Sequence, residues 1–181
     1  MIHKKVRYAF VVIMGIGITM AEAEAGFGVC GYGKENIPSL SCSGPAMLKD
    51  TTVTGNANVA GPLRAESSLF ESIQVAGVID LKNSRVNGNV TLQGSLIAEH
   101  SYFEKNLKIN SANIVLKSSI IKGDVIISSK KKTPILHLLC HSDIQGSVTF
   151  DGKPGIVKIS DDSLIHGNIN NGSTERVKVP C

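Results

Sequence analysis

VNGNVTL (residues 86–92), IKGDVII (121–127), IQGSVTF (144–150) and IHGNINN (165–171) are near-copies of one another. Self-similarity at a regular period is the mark of a repeat architecture, so this recurrence decides the fold. The same register extends upstream to VTGNANV (53–59), LFESIQV (69–75) and FEKNLKI (103–109). Units then begin at Val53, Leu69, Val86, Phe103, Ile121, Ile144 and Ile165, in steps of 16, 17, 17, 18, 23 and 21 residues.

Apolar residues recur four and six places after each start, as in Ala57 and Val59, Val90 and Leu92, or Val125 and Ile127. Ten and twelve places on, the early units add Leu63 and Ala65, Ile79 and Leu81, and Leu96 and Ala98. Pairs of period two are short half-buried strands, and no helical spacing runs through this stretch. Polar residues keep the register as well. A hydroxyl stands two places before each start: Thr51, Ser67, Ser84, Ser101, Ser119, Ser142 and Ser163. Asn56, Ser72, Asn89, Asn106, Asp124, Ser147 and Asn168 stand three places after, and Gly61, Gly77, Gly94 and Gly152 eight after. Such small and turn-forming residues are expected at corners, where Gly and Asn tolerate left-handed backbone angles.

The expected fold is all-β: a single-stranded parallel β-helix, or β-solenoid, of about seven right-handed coils with three strands per coil and disulfide-stapled ends. An antiparallel sandwich would also alternate apolar and polar residues, but it has no reason to repeat serine, asparagine and glycine at fixed offsets. Like side chains would form ladders about 4.8 Å apart along the rod. The organisation expected is a signal peptide (1–25), an N-terminal cap segment (26–50), the solenoid (51–171) and a C-terminal tail (172–181).

The VNGNVTL and IKGDVII units, about 17 residues apart, resemble the coils of bactofilins and related polymer-forming β-helix proteins. The resemblance covers residues 51–171 and implies a β-helical fold and end-to-end polymerisation. Bactofilins are cytoplasmic, membrane-associated scaffolds. This chain departs from them in its N-terminal segment and its four cysteines.

That segment has a basic start (His3, Lys4, Lys5, Arg7), an uncharged apolar run from Ala9 to Met20, and small residues in AEAEA (21–25). This is the pattern of a secretory signal cleaved after Ala23 or Ala25, and the run is short for a membrane span. Export to the periplasm, cell surface or medium is therefore expected, with no stable membrane span after cleavage. Removing residues 1–25 takes Lys+Arg from 19 to 16 and Asp+Glu from 15 to 13, leaving +3. So mild a charge does not point to nucleic acid, which asks for a concentrated basic face.

Cys30, Cys42, Cys140 and Cys181 all follow the signal. Four cysteines in an exported chain imply two disulfides and allow three pairings. Cys30–Cys42 with Cys140–Cys181 is favoured, because each bond ties down a chain end. HLLCH (137–141) offers His137, Cys140 and His141 to a metal, but no second ligand cluster has matching spacing. No metal and no cofactor are expected.

Longer steps mark inserted loops. SSKKKTP (128–134) and DGKPG (151–155) follow corresponding strands, so Lys130, Lys131, Lys132 and Lys153 should cluster on one side. Such a patch is a candidate site for an anion, an acidic glycan or a partner. Solvated loops that use lysine against edge aggregation have the same appearance. Glu66, Lys82, Glu99 and Lys117 share one outward offset and should pair across coils. For catalysis, β-helical polysaccharide enzymes need a calcium-binding acidic cluster or paired carboxylates. Asp161 and Asp162 are adjacent and fit a turn better, and His100 and His141 share an offset two coils apart. No catalytic residue is assigned, and no enzyme is expected. The expectation is an exported structural or interaction protein that presents a solenoid surface to a protein or glycan of the cell envelope. The alternatives are a scaffold that self-associates end to end and a glycan-acting β-helix enzyme.

Overall fold

The structure, a computed structural model, describes residues 28–181. The signal segment expected over 1–25 lies outside these residues. Every strand pairing is parallel, and each strand pairs with its counterpart one coil away. The chain is a three-sided parallel β-solenoid.

One coil shows the plan. Leu96–Glu99 lies on the first face, Tyr102–Phe103 on the second and Leu107–Asn110 on the third. The first face stacks nine strands, from Cys30–Gly33 to Gly172–Val177. The second and third faces merge into one sheet, because Thr52–Val59 and Leu69–Val75 each turn the corner as continuous strands. The stack therefore has about nine turns, against the seven coils expected, and its eight spacings give a rod of about 38 Å.

The added turns come from the two ends. Cys30–Gly33, Asn36–Ile37 and Leu40–Cys42 pair in register with Ala46–Lys49 and Thr52–Val59. The segment expected as a cap thus carries a coil of its own. At the other end, Gly172–Val177 pairs with Gly155–Ser160 and adds a ninth strand to the first face.

Inward residues form unbroken columns. On the second face Val53, Phe70, Val86, Phe103, Ile121 and Ile144 succeed one another, all buried. On the third face Ala57, Ile73, Val90, Leu107, Val125 and Val148 do the same. A three-sided tube this narrow is filled by aliphatic layers, which accounts for a chain with no Trp and five Phe. Where a larger ring enters, space is made for it. Phe150 lies against Gly155 and Gly172, and a Cβ on either would strike its ring.

One coil start is corrected by this pairing. Val53, Phe70 and Val86 are in register, so the second repeat begins at Phe70 rather than Leu69. The corner between the second and third faces is one residue short in that coil. VTGNA (53–57) and VNGNV (86–90) carry a glycine that FESI (70–73) lacks, and the register shifts at this point. The buried hydroxyl of that coil is accordingly Ser68, not Ser67.

The glycines meet the expectation in part: Gly94 and Gly152 have positive φ, and Gly61 and Gly77 do not. Left-handed backbone falls on non-glycine residues between the first and second faces: Asp50, Ser67, Asn83, His100 and Ser118 have φ between 48° and 52°. Each immediately precedes a buried hydroxyl. Short polar residues tolerate this region by bonding locally. Gly61 and Gly77 instead permit close approach, since a Cβ on either would collide with the carbonyl of the previous coil's glycine.

Candidate functional site

Two disulfides brace the stack. Cys30–Cys42 ties the first-face strand of the opening coil to its third-face strand, and Cys140–Cys181 fastens the chain's last residue to an earlier corner. Both are the favoured pairings. Cys140 is thereby oxidised, so HLLCH supplies no thiolate to a metal. His137 sits half-buried on the first face, where burial and then the charge of Lys158 push its pKa down.

The lysine loops come together. Both connect the third face to the first, and Lys153 Nζ donates to the Lys131 carbonyl at 3.0 Å. Ser129 Oγ donates to the Lys132 carbonyl at 2.8 Å and anchors the longer loop. Asn110, Ser128, Lys130, Asp151 and Lys153 border a depression of about 480 Å³. Asp151 puts a carboxylate beside the lysines, so the patch is mixed in charge.

The outward row on the first face pairs only in part. Glu99 and Lys117 meet at 3.3 Å, and Lys49 joins the row by reaching Glu66 at 3.7 Å. Lys82 lies in register between Glu66 and Glu99. Exposed pairs of this kind contribute at most about 1 kcal/mol each.

A denser cluster, on the second face, was not read from the sequence. Glu104 takes Lys122 Nζ at 3.0 Å on one oxygen and Arg85 on the other. Arg85 also lies 4.5 Å and Lys122 5.3 Å from the centre of the Tyr102 ring. The hydrogen bond from Lys122 does most to hold the Glu104 carboxyl below its ordinary range, while bonds to Tyr102 and then Glu104 raise the Lys122 pKa. The signal was available in the offsets: Arg85 and Tyr102 stand one before a coil start, Glu104 and Lys122 one after.

Asp162 joins two further groups. Ser160 Oγ donates to it at 2.5 Å and His141 Nδ1 lies 3.1 Å away, the serine contact being the chief reason its pKa is lowered. Here the carboxylate stands between serine and imidazole, whereas a hydrolytic triad puts the imidazole between. Ser160 is also buried. Asp161 and Asp162 occupy a turn, closed by the Ser163 amide donating to the Ser160 carbonyl at 3.1 Å. His166 Nε2 lies 2.9 Å from Asp143 Oδ1 on the second face. His100 and His141 both fall at left-handed corners in coils two apart.

The third face differs in chemistry. Its central outward column runs Ser41, Asn58, Gln74, Thr91, then Lys108, Ile126, Thr149 and Asn170. Two shallow depressions, of about 330 and 410 Å³, overlap at Asn58, Gln74 and Thr91. Comparison with family models, curated proteins and solved structures returned no match.

Proposed function

We propose that this is an exported, non-enzymatic interaction protein that presents the flat faces of a disulfide-braced solenoid to a protein or glycan of the cell envelope. The observation carrying this reading is the third face, where amide and hydroxyl side chains stand in columns on rigid strands. Neighbouring strands hold such groups at a fixed spacing of about 4.8 Å, which presents a partner with a preorganised array. On the second face Glu104 is already engaged by Arg85 and Lys122. The basic loops Lys130–Lys132 and Lys153 are a secondary contact in this reading.

One observation favours the end-to-end scaffold as a second reading. The tail returns to Cys140 at a corner, so among the described residues nothing pairs beyond Leu164–Ile165 and Ile169–Asn170. Leu164 is 56% exposed there. Unpaired strand edges invite association, and the bactofilin resemblance implies the same behaviour.

Light scattering on the oxidised, exported protein across a concentration series separates the two. A single small species at all concentrations supports presentation. Filaments seen by negative stain overturn it in favour of the scaffold. Incubation with a polysaccharide panel adds a third arm, because shortened products would establish the enzyme instead.

A further inference from the structure

We infer that the third face, over the first four coils, binds a neutral glycan chain. This rests on the surface-presentation reading and names its partner class and site.

The side chains of Asn58, Gln74, Thr91 and Gln93 are exposed and make no hydrogen bond to another side chain or backbone group among the described residues. Later in the same column, Asn170 is already committed to Thr149 at 3.1 Å. The free groups are therefore concentrated toward the N-terminal end. Primary amides and hydroxyls both donate and accept, which matches the hydroxyls of a sugar. The strand backbone beneath fixes their Cα positions, so little ordering cost is left for binding.

Charge points to a neutral ligand. Glu71 and Lys105, of opposite sign, stand at the rim of the second depression and cancel. An acidic polymer would be drawn instead to the lysine loops, and a basic one would find no acidic field. Protein hot spots centre on Trp, Tyr and Arg in desolvated pockets. This strip contains none of them, and its depressions are open. Ala60 and Ala76, both exposed beside Gln74 and Gln93, leave low apolar ground on which the C–H face of a sugar ring can lie. Because the two depressions share three residues, they form one strip along the rod, suited to a chain rather than a single sugar.

The test uses the oxidised, exported protein with linear neutral oligosaccharides of glucose, mannose or N-acetylglucosamine, and an acidic oligouronate. At least one neutral probe should shift the side-chain amide NMR signals of Asn58 and Gln74. Gln74→Ala should weaken that probe about tenfold, the loss expected for one or two hydrogen bonds. Lys131→Ala should leave it unchanged. No shift with any neutral probe at millimolar concentration overturns the inference. So does neutral binding that survives both Gln74→Ala and Asn58→Ala, or a shift produced by the oligouronate alone. These outcomes leave the presentation reading standing, which fails separately if the intact protein forms filaments.

Discussion

The amide of Ser101 donates to Ser119 Oγ, one coil further on, at 3.1 Å. That hydroxyl in turn donates to the Lys117 carbonyl at 2.9 Å. The same pair of bonds recurs at Ser68, Ser84 and Ser142, and Thr51 begins the series by donating to the Ser68 hydroxyl. All of these hydroxyls are buried, so each satisfies a corner amide that water cannot reach. Ser119→Ala should leave the Ser101 amide without its partner and cost about 1–3 kcal/mol. Urea unfolding will measure the loss, and a change under about 0.5 kcal/mol, typical of a surface site, would remove the structural role given to the ladder.

Val90 and Thr91 are neighbours on one strand with opposite orientations, the first buried and the second exposed. Val90→Asp places an unpaired carboxylate in the core and should unfold the domain or cost several kcal/mol, comparable to its whole stability. Thr91→Asp should change little. Circular dichroism melts of the two variants compare them, and equal tolerance would contradict the register.

Gly94 and Gly152 separate two reasons for glycine. Both have positive φ, of 148° and 96° respectively. A Cβ on Gly94 would also collide with the Gly77 carbonyl, while around Gly152 the space is open. Gly152→Ala should therefore cost only backbone strain, about 1–2 kcal/mol. Gly94→Ala should cost more, and thermal melts showing the reverse order would reject the close-approach account.

Cys140 and Cys181 are 41 residues apart in sequence. Chain-entropy reasoning assigns such a link about 4 kcal/mol, as an upper figure for a bond near a chain end. Cys181→Ser paired with Cys140→Ser should speed amide exchange in Gly172–Val177 first, because that strand has a neighbour on one side only. Uniform loss of protection across all coils would show that the bond braces the whole rod.

Glu104 provides a pH dependence. Its carboxyl is held below the ordinary value of 4.5, first by Lys122. A lowered acid contributes its stability above that value and loses it as pH falls through the folded pKa. Wild type should melt above Glu104→Gln at pH 7, and the gap should close as pH falls below 4.5 and through the lowered folded pKa. High salt should narrow the gap too, since the cluster is exposed. A gap independent of both pH and salt would exclude the ion pairs as its source.

The parallel stack was legible because a column needs the same kind of residue at every coil. Val86 and Ile121 announce their positions in the sequence as they do in the core. The coil at Phe70 was misplaced because Leu69 is also apolar, and spacing alone could not show a corner shortened by one residue. Only pairing to Val53 and Val86 fixes it. Positive φ falls on Gly94 and Gly152, as their offset predicts, but also on Asp50, Asn83 and His100, whose corner the repeat of glycines does not mark. Crowding between coils is what Gly61 and Gly77 relieve, and crowding leaves no local trace in a sequence. The Arg85–Glu104–Lys122 cluster went unread because its members alternate between two offsets. The lysine loops share one side, as their matching offsets predict, and Asp151 in the second loop sets a carboxylate beside them.

Each coil touches only the coil before it and the coil after it. The serine relay, the glycine contacts and the apolar columns are all rules between adjacent layers. A duplicated unit such as residues 79–95 would meet every one of those rules on both sides. The molecule can thus grow or shrink by whole steps without redesign of its core, and the reach of its third face becomes a quantity that gene duplication can set as a ruler is cut to length.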